Sequence, residues 1–443
     1  MKKIAWIATL ALTLFISLFS GYVPTLKAAS EAPQVQWNRT YGPQSVSSVV
    51  QTEDGGYALV GQYGIEYISL HYGSYWNATA LLMKLDENGN VQWNKTYSDL
   101  VGDGLAVSVS QTKDLGYIIF GLSGGNYWLI KTDSQGNAEW NRTYLLNHYL
   151  VSLGGILTRD GGYFIFGSGS PGDSWPTVSY LYKMDGRGNE LWNKTIGNNS
   201  SGVWVNSAIE TKEGYAVVGS WGINFWFAKL NTEGKILLNQ SYNFAQQPPQ
   251  WHTSFSAFSI APTSNSGYIA TGGQYLDFGY PTVYWMFELD SVGNSKWKYS
   301  YAGQQTDVSP YGAILGAFQI ADRGYVAAGT IGGYPVLLYE QHKAWLFKTD
   351  SLGKTLWNIS YGSISAVTSF MITRDGGCLI AGNTEDTSYR GVEIWLAKFA
   401  PISLEPNVPS GILSFPITWV VIGIIVTLAI VGLALLIYFR KCK

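Results

Sequence analysis

The chain of 443 residues contains few cysteines, few histidines and little charge. Its two cysteines, Cys378 and Cys442, are too few for a disulfide framework, so stability must come from packing. Charged residues make up only 13% and the formal net charge is −2. This argues against a nucleic-acid partner, because such proteins carry a basic stripe. The four histidines lack metal-ligand spacing, so no metal site is predicted: His71, His148, His252 and His342.

Glycine and aromatic residues, by contrast, are abundant. The chain has 51 glycines, and 15% of its residues are aromatic. Glycine-rich turns between short aromatic strands are typical of all-β proteins. The expected fold class between the two apolar ends of the chain is therefore all-β.

Residues 1–30 have the pattern of a secretory signal peptide. A basic start, MKK, precedes a long apolar run, and the small residues Ala28, Ala29 and Ser30 follow it. Cleavage is expected near Ser30. Because the apolar run is long, an uncleaved membrane anchor is the alternative interpretation.

The C-terminal end predicts a single transmembrane helix. Residues 417–439 are uncharged and, at about 1.5 Å per residue, long enough to cross a hydrocarbon core of about 30 Å. The basic tail 440–443 follows at once, and the positive-inside rule places it in the cytoplasm. Prolines mark residues 401–416 as a short stiff stalk. We therefore expect a single-pass type I protein of the cell membrane, with residues 31–400 outside the cell.

Residues 31–400 contain seven copies of one unit, identified by three sequence anchors. The first anchor is a small residue followed by an aromatic one, ending at Tyr57, Tyr117, Tyr163, Tyr215, Tyr268 and Tyr325, with Cys378 in the last copy. The second is an apolar segment that contains a lysine near its end in six copies, at 80–86, 127–133, 180–185, 225–230, 284–290, 344–350 and 394–399. The third is Trp-Asn or a variant, at Trp37, Trp93, Trp140, Trp192, Leu238, Trp297 and Trp357.

Each unit is interpreted as four strands, A to D, with short turns from A to B and from C to D. The first A–B turn is EDGG at 53–56, and Asp-Gly predicts a hairpin whose two central residues both have positive φ. The C–D turn is Asp-x-x-Gly, in which Asp accepts a bond from the backbone two residues on and Gly is left-handed. Seven such units predict a seven-bladed β-propeller.

The two ends of the repeat region complement each other. The last unit ends at Phe399 without a strand D, whereas residues 35–41, VQWNRTY, are a strand D without a unit. We expect this N-terminal strand to complete the seventh blade and close the ring. Side chains alternate along a strand, so Trp37 and Tyr41 share one face and should dock between blades. The same docking is expected for every strand-D tryptophan: Trp37, Trp93, Trp140, Trp192, Trp297 and Trp357.

The segments 86–93, DENGNVQW, and 133–140, DSQGNAEW, resemble the tryptophan-docking motif of PQQ-type (quinoprotein-like) β-propellers. Repeats of this style occur in uncharacterised cell-surface proteins of archaea and bacteria. The turn here is one residue shorter than in that family, and Lys replaces the usual small residue before it. The resemblance implies the fold over 35–399. It does not imply quinone chemistry, because no calcium or quinone ligands carry over, and no cofactor is predicted.

Two repeated polar features have both a functional and a structural interpretation. Strand C carries lysine in six copies and Glu288 in the fifth: Lys84, Lys131, Lys183, Lys229, Lys348 and Lys398. These residues could form an anion-binding ring, but pairing with a nearby turn aspartate is favoured because strand C lies away from the channel of a propeller. The Asp-x-x-Gly turns are interpreted as plain turns and not as calcium sites, since only the copy at Asp86 has further oxygen ligands.

No acid–base or nucleophile pattern stands out, and no catalytic residue is assigned. The polar residues that depart from the repeat lie in separate loops: Asp99, Asp103, His148, Trp251–His252 and Asp307.

Nine Asn-x-Ser/Thr sequons occur in a chain that we expect to be exported. Three lie in loops and are expected to be glycosylated if the organism N-glycosylates: Asn77, Asn198 and Asn199. Six lie in strand D, where the repeat could copy them for structural reasons: Asn38, Asn94, Asn141, Asn193, Asn239 and Asn358.

The clearest asymmetry of the repeat is in loop length. The A–B and C–D turns are short, whereas the B–C and D–A connections vary and lie together on one face of a propeller. The B–C connections are rich in aromatic residues, which either bind a sugar ring or a protein or fold inward and pack the loops. The candidate ligand-binding residues are Tyr63, Tyr67, Tyr72, Tyr75, Trp76, Trp175, Tyr275, Phe278 and Tyr280.

The sequence thus predicts a membrane-anchored extracellular propeller that acts in recognition or adhesion, with an extracellular carbohydrate or protein as ligand. Two other classes stay open: an extracellular enzyme that uses the propeller channel, and a structural protein of the cell envelope. Titratable residues in the channel would favour the enzyme, whereas an aromatic, charge-poor loop face would favour binding.

Overall fold

The computed structural model describes residues 32–42, 44–64, 78–144, 149–170, 177–197, 202–243, 253–276, 283–301, 313–332, 342–364, 366–385 and 392–402. In these ranges 28 strands form seven antiparallel sheets of four strands each. The predicted signal peptide, membrane helix and cytoplasmic tail lie outside the described residues, as does the stalk beyond residue 402. No helix within the described ranges is both long enough and apolar enough to cross a membrane.

The strands follow one another in the order that the repeat predicts. The first is β1 (Val35–Tyr41). Blades one and two are β2 (Gln44–Gln51), β3 (Tyr57–Tyr63), β4 (Thr79–Leu85), β5 (Val91–Thr96), then β6 (Leu105–Gln111), β7 (Tyr117–Ser123), β8 (Asn126–Thr132), β9 (Ala138–Tyr144). Blades three and four are β10 (Tyr149–Leu157), β11 (Tyr163–Ser170), β12 (Val178–Met184), β13 (Glu190–Ile196), then β14 (Val203–Glu210), β15 (Gly214–Trp221), β16 (Asn224–Asn231), β17 (Ile236–Tyr242).

The remaining three blades complete the ring. Blades five and six are β18 (Thr253–Pro262), β19 (Tyr268–Leu276), β20 (Val283–Leu289), β21 (Ser295–Ser300), then β22 (Ala313–Gln319), β23 (Tyr325–Gly332), β24 (His342–Thr349), β25 (Thr355–Ile364). Blade seven is β26 (Ala366–Ile372), β27 (Cys378–Glu385), β28 (Val392–Phe399) and β1. One short helix, α1 (Ser98–Val101), lies between blades one and two.

Every blade has the order A-B-C-D, and the A strands of successive blades approach one another around the axis. Strand A is therefore the inner strand and strand D the outer one. Strands B and C are buried on both faces, as in β4, where six of seven residues are buried. This fits their unbroken apolar runs, because a fully buried strand does not need the alternation of a half-exposed one. The outer strand β5, by contrast, contains no buried residue.

Strand B contains a glycine at the same position in every blade: Gly61, Gly121, Gly167, Gly219, Gly272, Gly329 and Gly382. The sequence analysis did not predict a role for it. Its partner on strand C is a tryptophan in five blades: Trp128, Trp226, Trp285, Trp345 and Trp395. In six blades strand A bulges opposite this glycine, as it does at Ser47. A Cβ added to Gly61 would lie 1.8 Å from the Ser45 carbonyl oxygen. Only glycine therefore fits where the bulged strand presses against strand B.

The A–B turns differ from the predicted two-residue hairpin. In the first blade only Gly55 has positive φ, at 86°, and the turn closes through bonds from Gly55 N to Thr52 O and from Thr52 N to Gly56 O. The expectation that both central residues take positive φ was wrong, because the loop spans five residues and needs one left-handed position. Leu115, Ser266 and Arg323 take this position in blades two, five and six, at φ between 64° and 67°.

Neighbouring blades contact each other through strand D and the C–D turn. In five junctions the strand-D tryptophan packs 5.5 to 6.3 Å from the tyrosine that starts strand B of the next blade: Trp37–Tyr57, Trp93–Tyr117, Trp140–Tyr163, Trp192–Tyr215 and Trp297–Tyr325. Trp357 packs in one cluster with Cys378, which replaces that tyrosine in blade seven. The rings of these tryptophans thus lie against residues of the neighbouring blade.

The tryptophan also covers the left-handed glycine of the neighbouring C–D turn. Gly89 has φ 78°, and a Cβ added there would come within 2.9 Å of the Trp37 ring. Four residues further along the same strand, the Tyr41 hydroxyl donates to the Gly89 carbonyl oxygen at 2.6 Å. The same bond recurs from Tyr97 to Gly136, Tyr144 to Gly188, Tyr242 to Gly293 and Tyr301 to Gly353.

The ring closes through β1, as the sequence predicts. β1 pairs antiparallel with β28, with Tyr41 opposite Ile394, and Ala400 N donates to Gln34 O at 2.8 Å. On the inner side of the same junction, the Asn383 Oδ1 of blade seven accepts from Val46 N of blade one at 2.8 Å. β1 therefore belongs to the last blade, and its residues Trp37 and Tyr41 make the contacts with the first blade.

We expect Trp37→Ala to lower the free energy of unfolding by about 3 kcal/mol, the low end for a large aromatic residue, because this ring is only half-buried. Deletion of 31–43 should do more, since blade seven would keep three strands and an open edge. Thermal and denaturant unfolding of the soluble propeller measure both effects.

The control for this closure test is Gln36→Ala, on the exposed face of the same strand, which should change stability by no more than about 0.5 kcal/mol. An unchanged melting temperature after the deletion would contradict the closing role of β1.

Candidate functional site

The face that carries the A–B and C–D turns is fixed by ion pairs. In six blades the strand-C lysine reaches an acidic residue of the A–B turn, with N–O distances of 2.6 to 3.1 Å: Lys84–Asp54, Lys131–Asp114, Lys183–Asp160, Lys229–Glu213, Lys348–Asp322 and Lys398–Asp375. The Lys84 ammonium also donates to the Leu85 carbonyl oxygen at 2.9 Å. These lysines are largely buried and already paired, so the structural interpretation is confirmed over the anion-binding ring.

Four aspartates of these pairs have a lowered pKa: Asp54, Asp114, Asp160 and Asp375. Burial alone would raise the pKa of Asp160, but hydrogen bonds from Lys183, Thr158 and the Gly162 amide outweigh it and lower the pKa to about 2. The pKa of Asp114 is also lowered to about 2, because Lys131 outweighs burial in the same way. Both carboxylates are therefore ionised over the whole physiological range.

Blade five reverses the charges of this contact. Glu288 stands where the other blades have lysine, and Asn265 replaces the turn aspartate. The buried Glu288 carboxylate accepts from Asn265 and Lys296 at 3.0 Å, and from Trp297 Nε1 and the Tyr325 hydroxyl at 2.8 Å. Burial would raise its pKa, yet these four donors lower it. The blade keeps a satisfied buried charge of the opposite sign.

A second polar contact links neighbouring A–B turns, and the sequence analysis missed it. The last residue of strand A accepts the backbone N–H of the second turn residue of the preceding blade, as Gln111 does from Glu53 at 2.8 Å. The others are Gln51 from Arg374, Glu210 from Arg159 and Gln319 from Ser264. The signal in the sequence is a Gln or Glu directly before the first residue of the turn, which is threonine after Gln51, Gln111 and Glu210 and isoleucine after Gln319, but its partner lies on another blade.

The opposite face carries the B–C and D–A connections, where ligand binding was predicted. Of the candidate residues, only Tyr63 and Tyr275 lie among the described residues. Tyr63 ends β3 and is 45% exposed, and Tyr275 lies near the end of β19. The others lie outside the described residues: Tyr67, Tyr72, Tyr75, Trp76, Trp175, Phe278 and Tyr280. The loop sequons Asn77, Asn198 and Asn199 lie outside them as well.

Apolar exposure alone does not identify the binding face. Leu100 of α1 and Ile223 of the B–C turn of blade four are 37% and 44% exposed on the loop face. On the turn face, however, Leu115 is 50% and Leu352 is 66% exposed. What differs between the faces is the length of the connections, which is nearly uniform on the turn face and variable on the loop face.

A small gap lies between blades four and five on the loop side. Its volume is about 10 Å³, room for about one water molecule. Phe225, Phe255, Ser256, Gly272, Gly273, Trp285 and Phe287 line it. Phe225, Phe255 and Phe287 are at most 2% exposed, so the gap belongs to the packed core between the two blades and offers no surface for a ligand.

The inner strands line the channel with small and apolar residues. Within β2, β6, β10, β14, β18, β22 and β26 the one charged side chain is Glu210, which ends β14 beside the A–B turn. Its carboxylate is engaged by the Arg159 amide at 2.9 Å. Asp99 and Asp103 are both exposed, in α1 and in the loop after it. His148, Trp251–His252 and Asp307 lie outside the described residues.

No protein family profile and no curated protein match the chain. Among solved structures it is similar to a protein of unknown function from Bacteroides caccae, at 16% identity and a TM-score of 0.41, over 69% of this chain and 96% of that one. It is also similar to BBS1N in complex with ARL6DN, soaked with lead, at 9% identity and a TM-score of 0.46, over 84% and 99%. A third is a protein from Lactobacillus plantarum, at 10% identity and a TM-score of 0.43, over 72% and 88%.

These similarities carry no argument about function. The seven-bladed propeller follows from the strand pairing of the chain itself, and the resemblance to PQQ-type propellers stays a prediction.

We expect Asp160→Asn to lower the free energy of unfolding by about 1–3 kcal/mol at pH 7, because the buried Lys183 ammonium loses its charged partner. The folded pKa of Asp160 is about 2 and the unfolded one about 4, so the pair stabilises the fold above pH 4. That contribution is lost as the pH falls from about 4 to about 2. Unfolding measured across this range should show a weaker pH dependence in the variant.

Asp103→Asn is the matched control for the pH experiment, since Asp103 is exposed. It should keep the wild-type stability at pH 7 and the wild-type pH dependence. Equal pH dependence of Asp160→Asn and wild type would contradict the proposed role of the pair.

Proposed function

We propose that the protein acts in recognition or adhesion at the cell surface and binds an extracellular carbohydrate or protein through its loop face. The propeller is held outside the cell by a single membrane helix at 417–439, with the tail 440–443 in the cytoplasm. This topology is supported by the apolar run and the basic tail of the sequence.

One observation carries the binding proposal: a fixed turn face combined with a variable loop face. Ion pairs and cross-blade bonds hold the A–B turns in nearly every blade. On the other side, β7 and β8 are joined within Ser123–Asn126, whereas β3 ends at Tyr63 and β4 begins at Thr79. Variable connections on a rigid scaffold are where binding residues usually lie. The exposed Tyr63 ring suits the flat apolar surface of a sugar ring or a protein partner.

The inner strands support recognition over acid–base catalysis in the channel. General acid–base chemistry needs titratable side chains positioned at the reacting atoms. The described inner strands present small and apolar side chains instead, and Glu210 is engaged in a contact between blades. The alternative functions are an extracellular enzyme and a structural protein of the cell envelope.

We expect an epitope inserted in the stalk near Asn407 to be accessible to antibody on intact cells, and an epitope after Lys443 to be accessible only after permeabilisation. The basic tail next to the apolar run is the reason. Immunofluorescence with and without detergent makes the measurement, and the reverse labelling pattern would contradict the topology.

We expect replacement of 67–76 by a short Gly-Ser turn to leave propeller stability nearly unchanged and to weaken ligand binding on a glycan array. Blade two makes the same connection with Ser123–Asn126, so the repeat does not need the longer loop. Loop closure entropy also changes slowly with length.

The control for the loop test is Leu352→Ala on the opposite turn face, where the side chain is 66% exposed, and it should change neither property. Suppose that the 67–76 replacement destabilises the propeller by several kcal/mol while array binding persists. The loop aromatics would then be packing residues, and the binding proposal for this loop would be wrong.

A further inference from the structure

Strand D contains an asparagine at the same position in six blades, and these asparagines make no contact that is common to all six. The residue directly after the docking tryptophan position is Asn in six blades and Lys298 in blade five: Asn38, Asn94, Asn141, Asn193, Asn239 and Asn358. Two positions further on stand Thr40, Thr96, Thr143, Thr195, Ser241 and Ser360. The residue between them is never proline. Each copy is therefore an intact N-glycosylation sequon.

A side chain repeated for structure should make the same contact in each blade. The docking residues of strand D do so: the tyrosine hydroxyl binds the glycine carbonyl oxygen in five junctions. The asparagines do not. Asn38 Nδ2 donates to the Tyr361 hydroxyl, Asn193 Nδ2 to Glu190 Oε1, and Asn239 Oδ1 accepts from Trp226 Nε1. Since the partners differ, shared packing does not explain the repeat of Asn with Thr or Ser two residues on.

Both functional residues of each of these sequons are exposed. All six asparagines are exposed, and so are the threonine or serine two residues on. Alternate residues of a strand share a face, so the amide and the hydroxyl lie together, opposite the tryptophan that docks. Strand D is also the outer strand of every sheet. A group attached to the asparagine would point away from the packed interior.

We propose that these six strand-D asparagines carry N-linked glycans, which form a belt around the outer rim of the propeller. The inference rests on the export proposed above. In the modification, Nδ2 of the asparagine bonds to the anomeric carbon of an oligosaccharide carried on a lipid pyrophosphate. The bond from that carbon to the pyrophosphate oxygen breaks, the lipid pyrophosphate leaves, and the amide nitrogen loses one proton. The belt covers the free edges of the outer strands, which would otherwise pair with strands of other chains.

The test expresses the full chain in cultured animal cells, which N-glycosylate exported proteins. One version keeps residues 1–30, and a second replaces them with a host signal peptide. Surface chains are collected and their glycans released enzymatically in ¹⁸O water, which marks each occupied asparagine by mass. We expect most of the six strand-D sites to be occupied on surface chains.

The two versions separate failure of the belt from failure of export. Suppose that only the host-signal version reaches the surface and that its strand-D sites are occupied. The proposal of strand-D glycans is then supported, and the proposal that residues 1–30 direct export is wrong. If surface chains are occupied at Asn77, Asn198 or Asn199 but not in strand D, the belt is wrong. It is also wrong if chains are retained in the cell and reach the surface only after the strand-D asparagines are changed to Gln.

Blade five offers a gain-of-site variant with a matched control. Ser300 keeps the third sequon position there, so Lys298→Asn completes the missing sequon. The belt predicts one additional glycan on the surface chain and an unchanged yield at the surface. Lys298→Gln removes the same lysine without a sequon and should add none. Loss of Lys298→Asn chains from the surface, with Lys298→Gln chains retained there, would overturn the proposal, because a glycan at that position would then be incompatible with the fold.

Discussion

The contact on which the ring of blades depends is the one between strand D and the left-handed glycine turn of the next blade, and in four junctions a strand-D tryptophan covers that glycine. A four-stranded sheet exposes apolar residues on both faces and cannot bury them alone, so it is stable only between two neighbours. The indole lies where a Cβ would be, as Trp37 does over Gly89, and the strand-D tyrosine hydroxyl then fixes the turn from the other side. This pair of contacts sets the angle between blades, and the angle places every loop on the opposite face.

A second constraint is that each buried charge on strand C has a partner of opposite charge. Six blades meet it with a lysine on strand C and an acidic residue in the A–B turn. Blade five meets it with Glu288, held by four donors that include Lys296. The sign of the charge is thus free to change, provided that the neighbouring turn changes with it. Partner satisfaction, and not charge itself, is what the repeat preserves.

Much of the fold could be predicted because the same pattern of strands and turns occurs seven times in the sequence. The incomplete last unit and the extra strand at 35–41 were enough to predict ring closure. The partner of Gln51 was not predictable, since Arg374 lies on a blade 323 positions away in the chain and no local pattern links them. The A–B turn was predicted wrongly because Asp-Gly fits both a two-residue hairpin and the longer loop observed here. The aromatic residues of the loops are not part of the repeat. The sequence therefore predicts on which face of the propeller they lie, but not the positions of their side chains.

The closure strand also decides how the propeller carries load. Tension applied where the chain leaves at Ile402 acts along β28, which is hydrogen bonded to β27 on one side and to β1 on the other. Two ladders loaded along their length must shear many bonds at once, whereas an edge strand peels away one bond at a time. β1 therefore restrains β28, and a force applied at Ile402 is shared by the strands on both sides of β28.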